Sequence, residues 1–112
     1  MKKDEEAKID TLLATLWERS LPTLRERLDV LDRAAASAAS GHLTEASRAE
    51  AHGIAHKLSG SLGMFGYHRG TEIARQIEAI LDTPVPDAPT PDTQTRLDAL
   101  VTELHDTLFP SH

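Results

Sequence analysis

The chain has 112 residues, no cysteine and a formal net charge of −6. Hydrophobic residues make up 39% and aromatic residues 4%, which favours helices packed through small and aliphatic side chains over a sheet of β-branched residues. This composition excludes disulfides and thiolate metal sites, and it argues against general binding to nucleic acid or to an anionic membrane.

The length fits one domain with a single modest core. No apolar run approaches the roughly 20 residues of a membrane span. The basic start Met1-Lys2-Lys3 leads directly into acidic residues, without the apolar core of a signal peptide. We therefore expect a single helical domain over residues 1–112, located in the cytoplasm.

Apolar residues recur at three- and four-residue steps from about residue 4 to residue 39, which predicts one long amphipathic helix or two helices in line. Pro22 falls in the middle of this pattern, and we expect a kink near it because proline removes a helical hydrogen bond. Pairing of the whole helix with a second molecule as a coiled coil would need cleaner heptads than Ser20 and Pro22 permit. We therefore expect a monomer. The residues of the pattern are Ile9, Leu12, Leu13, Leu16, Leu24, Leu28 and Leu31.

A second helix is predicted to begin after Thr44, which can cap it, and to end at Gly66. Gly41 is expected to end the first helix in the left-handed conformation. Winding residues 46–65 at about 100° per residue places His56 roughly opposite the centre of one continuous apolar arc. The arc, which should face the core, consists of Ala51, Ile54, Ala55, Leu58, Leu62 and Phe65.

The outward face around His56 carries almost no side chains. A helical glycine costs about 1 kcal/mol relative to alanine, so folding alone does not explain this face. It is not a phosphate-cradling loop, because the apolar arc continues through the glycines and no Gly-Lys-Ser/Thr follows. We interpret it as a surface cleared for the close approach of another protein. It is formed by Ala49, Gly53, Gly60 and Gly63, with Ser59 and His52 beyond them.

The spacing Ala-His-x-Leu-x-Gly-x-x-Gly-x-x-Gly closely resembles the signature of histidine phosphotransfer (HPt) domains of bacterial phosphorelays. It is present as Ala55-His56-Lys57-Leu58-Ser59-Gly60-Ser61-Leu62-Gly63-Met64-Phe65-Gly66. The resemblance implies that Nε2 of His56 takes a phosphoryl group from the phospho-aspartate of a receiver domain and returns it to another receiver. The implied partners are receiver domains of response regulators or of a hybrid sensor histidine kinase.

The resemblance also implies a phosphocarrier and not an enzyme. Such a carrier has no nucleotide site and no cofactor of its own, because the receiver domain supplies the Mg²⁺. The family often has a lysine or arginine three residues after the histidine, where this chain has Ser59. The alternative is therefore a helical bundle that docks receiver domains with weak or no phosphotransfer. Candidate neighbours of the phosphoryl group are Ser59, Lys57, His52 and Arg69.

His52 and His56 are four residues apart, a spacing that two zinc ligands can use. Gly53 occupies the position where the helix of a zinc protease has its glutamate, and no Glu-x-x-His pairing is present. We therefore expect no metal site on this helix.

The rest of the chain supplies two more helices. Isoleucine and leucine spacing predicts a third helix around residues 67–82. Residues 83–91 hold four of the six prolines and indicate an extended connection. A last helix is predicted from Asp92 to just before Pro110. Four helices with mostly short connections predict an all-α, antiparallel up-and-down four-helix bundle.

Overall fold

The computed structural model describes the backbone of residues 2–82 and 91–109, and the side chains of residues 5–82 and 93–109. Within these ranges the chain forms helices and turns and no strand, which confirms the predicted all-α class. The four helices are α1 (Lys2–Ala39), α2 (Glu45–Met64), α3 (His68–Ile80) and α4 (Pro91–Leu108).

Each helix packs against the next one along the chain, and α4 closes the bundle by packing against α1. Polar contacts from α2 to α3 and to the turn that follows α3 pair residues in opposite order, His56 with Glu78 and His52 with Asp82. The fold is therefore the predicted antiparallel up-and-down bundle. None of the helices in the described ranges combines the length and the apolar character needed to cross a membrane.

The first helix continues through Pro22 without interruption, so the alternative of two separate helices in line is wrong. Proline has no N–H, so the carbonyl four residues earlier lacks its usual helical donor. Nearby, the Ser20 hydroxyl donates to the carbonyl of Trp17 at 2.7 Å. The kink that we expect near Pro22 stays a prediction.

The N-terminal part of α1 extends beyond the other helices. At 1.5 Å per residue its 38 residues rise about 57 Å, and the longest dimension of the molecule is 57 Å. The 20 residues of α2 rise only about 30 Å. Residues 5–12 are all exposed, and Leu24 is the first buried residue among the side chains of α1 that the structure describes. We refer to residues 5–16 as the arm.

The predicted helix ends are confirmed. Gly41 and Gly66 have φ of 76° and 84°, the left-handed conformation that favours glycine. Beyond α2, the N–H of Tyr67 donates to the carbonyl of Leu62 at 3.0 Å, and the N–H of Gly66 donates to the carbonyl of Gly63 at 3.1 Å. These two bonds form a Schellman motif, which ends α2. At its other end, the backbone N–H of Ser47 donates to the Thr44 hydroxyl at 3.1 Å.

The apolar arc of α2 faces the core, as predicted. Four of its residues are buried, and the other two, Ile54 and Phe65, are half-buried. The ring of Phe65 meets the ring of Trp17 edge-on, with centroids 5.3 Å apart. Burial of this arc fixes the rotation of α2 about its axis and so determines which residues face outward. The four buried members are Ala51, Ala55, Leu58 and Leu62.

The predicted connection over residues 83–91 lies outside the described residues, apart from Pro91. Pro91 is the first residue of α4, a position where the N–H that proline lacks would have no helical partner. The third helix, His68–Ile80, lies within the predicted range of residues 67–82.

Candidate functional site

His56 lies on the solvent side of α2, as the helical period predicts. Its side chain is 73% exposed, while Ala55 and Leu58 on either side of it in sequence are buried. The imidazole is therefore held by a helix whose orientation the core determines, and it remains accessible to another molecule.

Glu78 on α3 is the polar partner of His56. Its Oε2 lies 3.0 Å from Nδ1 of the imidazole, and its side chain is 25% exposed. An ionised carboxylate can only accept hydrogen bonds, so Nδ1 carries the hydrogen and donates it to Glu78. In the neutral ring this leaves the lone pair on Nε2, the nitrogen that can act as a nucleophile.

Glu78 is not among the residues predicted from the sequence, although the chain contains a signal that points to it. The helices α2 and α3 run antiparallel around the turn at Tyr67, and His56 and Glu78 each stand eleven residues from Tyr67. His52 and Asp82 each stand fifteen residues from it. Equal distances from the turn of a helical hairpin bring residues to the same level, so both pairs follow from its register.

His52 belongs to the same polar cluster. Its Nε2 lies 3.2 Å from Oδ1 of Asp82 and 3.9 Å from Oε2 of Glu78. The Glu78 carboxylate thus lies between the two histidines and is much closer to His56. In the described part of the chain, no group of three or more histidine, aspartate or glutamate side chains is placed to hold a metal ion.

The surface around His56 is open at three of the four predicted positions. Ala49 is exposed, and a Cβ atom added at Gly53 or Gly60 would meet nothing within 4 Å. Gly63 differs, because its Cβ would lie 3.4 Å from Oγ1 of Thr71 on α3. Gly63 therefore lies at the contact between α2 and α3 and not in open space.

Two of the predicted phosphoryl neighbours, Lys57 and Ser59, lie on α2 close to His56 in sequence. Lys57 is exposed beside His56 in sequence, and the Ser59 hydroxyl donates to the carbonyl of His56 at 2.7 Å. Because of this bond, Ser59 would have to change rotamer to donate to a phosphoryl group.

Arg69 lies elsewhere on the bundle. It bonds Glu103 on α4 and Glu72 one turn along α3, and these two hydrogen bonds raise the pKa of its guanidinium. It also precedes Glu78 by nine residues, or about 13 Å along the helix axis. The structure therefore brings His52 and Glu78 close to His56 but not Arg69.

The four-helix bundle and the exposed histidine on its second helix agree with the resemblance of the sequence to HPt domains, and the comparison with known families shows the family. The model of the Hpt domain family matches residues 15–108, and the chain belongs to this family. Membership implies a role in phosphotransfer within two-component signalling.

Among curated proteins, Protein RcaC of Microchaete diplosiphon is 31% identical over 75 residues. The aligned region covers 67% of this chain and 12% of RcaC, so the chain spans only a small part of the length of this relative. No solved structure gives a significant match.

Proposed function

We propose that this chain is a phosphorelay intermediate that carries a phosphoryl group on Nε2 of His56 between the aspartates of receiver domains. The observation that carries the proposal is an exposed imidazole whose Nδ1 is held by Glu78. The open surface at Gly53 and Gly60 supports it, because a receiver could place its active site against the helix there. The proposed partners are response regulators or a hybrid sensor histidine kinase, in the cytoplasm.

In the forward step, the lone pair of Nε2 attacks the phosphorus of the receiver's aspartyl phosphate. The N–P bond forms while the bond from phosphorus to the aspartate oxygen breaks, and the aspartate leaves as a carboxylate. The hydrogen stays on Nδ1, and Glu78 stabilises the positive charge that develops on the ring. Attack by the aspartate of a second receiver reverses the step and restores the neutral imidazole.

In this proposal the chain is a carrier and not an enzyme, and its own residues orient the nucleophile and leave it accessible. The receiver supplies the Mg²⁺ that neutralises the transferring phosphoryl group. Since Ser59 stands where the family often has a basic residue and Arg69 is engaged with Glu103, the charge at the phosphoryl group is balanced mainly by the receiver.

The test is transfer of a radiolabelled phosphoryl group from a panel of receiver domains. Each receiver is labelled with acetyl phosphate, freed of the donor by desalting, and mixed with the chain. We expect acid-labile label on the wild-type chain and none on His56→Gln. The matched control His52→Gln, one turn away on the same helix, should keep most of the label.

Two other outcomes would contradict the proposal. Label on His56→Gln equal to that on the wild type would place the phosphoryl group on another residue. Receiver binding detected by calorimetry, with no label on the wild type, would indicate the alternative function of docking without transfer.

A further inference from the structure

The arm carries an apolar stripe that nothing in the described structure covers. Ile9, Leu12 and Leu16 are 56%, 58% and 40% exposed, and Leu13 between them is half-buried. Their spacing places all four along one side of the helix. The Hpt family match begins at residue 15, so most of the arm lies outside the part of the chain that the family model describes.

The arm is the end of a continuous helix and not an isolated one, so what it lacks is cover for its apolar stripe. In proteins, a helix is stabilised mainly by packing an apolar face of this kind against another apolar surface. The buried core takes in α1 from Leu24 onward, and Trp17 and Leu21 pack against it, so the stripe precedes the part of α1 that the bundle covers. We propose that the arms of two copies of this chain pair antiparallel and form a homodimer.

The arm is complementary to itself in this orientation. When two arms cross so that Ile9 of one faces Leu16 of the other, Leu12 of each copy faces Leu13 of its partner copy. The same register places the exposed Glu6 of one copy opposite the exposed Arg19 of the other. Antiparallel helices also oppose their dipoles, whereas a parallel pair would align them.

The size of the stripe indicates a weak dimer. Four apolar side chains from each copy bury far less than the approximately 1,200 Å² of the smallest stable interfaces, so we expect a dissociation constant on the order of 100 μM. Ser20 and Pro22, which argue against pairing along the whole of α1, both lie beyond the stripe. The pairing therefore requires a helical arm and not a long coiled coil.

Sedimentation velocity at chain concentrations from about 10 μM to 1 mM tests the association. We expect the wild-type chain to shift from monomer to dimer over this range, and Leu12→Glu to remain monomeric throughout. The matched control is Ala14→Glu, which adds the same charge at an exposed position on the opposite side of the arm. It should associate like the wild type, and circular dichroism should show equal helix content in all three proteins.

Cysteine cross-linking tests the orientation, because the natural chain contains no cysteine. Under mild oxidation, a mixture of Ile9→Cys and Leu16→Cys chains should form the mixed disulfide in preference to either symmetric one. Preferential symmetric cross-linking would indicate parallel arms and would overturn the proposal. So would a wild-type chain that stays monomeric at 1 mM, or a dimer that Leu12→Glu leaves intact.

Discussion

At the scale of single residues, the chemistry depends on which nitrogen of His56 carries the hydrogen. Glu78 accepts from Nδ1, so Glu78→Ala should remove the preference for that tautomer and lower the rate of phosphoryl acceptance. Loss of an outer residue that orients a functional histidine typically costs 10- to 100-fold, and we expect about 10-fold here because the site is exposed. The measurements are the initial rate of labelling by a phosphorylated receiver and the ¹⁵N shifts of the imidazole, which report the tautomer.

Glu72→Ala is the matched control for Glu78→Ala. Glu72 is a glutamate on the same helix, but it pairs with Arg69 and not with a histidine. It should change neither the rate nor the imidazole shifts. A Glu78→Ala protein with unaltered ¹⁵N shifts and an unaltered rate would show that the contact has no role in orienting the nucleophile.

The sequence located His56 but not its partner, for a physical reason. The outward position of His56 follows from the helical period of its own segment, which needs only local information. Glu78 is 22 residues away, and its contact with His56 depends on how α2 and α3 align across the turn at Tyr67. Arg69, chosen as a cation near the motif, is directed by the same alignment toward Glu103 on α4.

At the scale of one helix, the glycines of α2 lower stability while leaving the surface open. A Cβ at Gly60 would meet nothing, so Gly60→Ala should raise the free energy of unfolding by about 1 kcal/mol through helix propensity alone. Urea denaturation measures the change. In the control Gly70→Ala the new Cβ would lie 3.2 Å from Cδ1 of Leu62, and we expect no gain in stability there. A loss of stability in Gly60→Ala would contradict the open environment of this position.

A larger side chain at Gly60 separates stability from function. Gly60→Phe should fold, because the position faces open space, but it should slow phosphotransfer by about 10-fold or more, since it obstructs the approach of a receiver. The measurement is the labelling rate at several receiver concentrations. Ser40→Phe, at the exposed turn after α1, is the control for an added surface aromatic and should transfer normally. Normal transfer by Gly60→Phe would show that the receiver does not approach over this position.

Helix boundaries were predictable because their signals are local. Gly41, Thr44 and Gly66 each end or begin a helix through bonds within a few residues of themselves. The surroundings of Gly63 were not predictable in this way, since Thr71 reaches it only after α3 packs on α2. A glycine that clears a surface and a glycine that admits a neighbouring helix look alike in a sequence.

At the scale of the whole molecule, the bundle and the arm are separate parts of one helix. Contacts along α1 hold the bundle together downstream of the arm, as in the bond of 2.9 Å between Asp32 and His105 on α4. The sequence pattern placed Ile9, Leu12 and Leu16 in the same stripe as the core leucines, because their spacing is the same. Only the lengths and positions of the other helices reveal that the stripe continues past the end of the core.

Deletion of residues 1–14 should therefore leave the bundle and its chemistry intact. Residues 5–12 are exposed, so we expect the free energy of unfolding to change by less than about 0.5 kcal/mol and the labelling rate of His56 to stay the same. Unfolding in urea is measured at a chain concentration of about 10 μM. A dimer with a dissociation constant on the order of 100 μM is mostly dissociated there, so self-association does not affect the comparison. The control is Trp17→Ala, because Trp17 stacks on Tyr67 with ring centroids 4.7 Å apart. Loss of this stacking should lower the free energy of unfolding by about 2 kcal/mol. If the deletion costs as much as this control, the arm must pack against the bundle, and it would then be unavailable to a second copy.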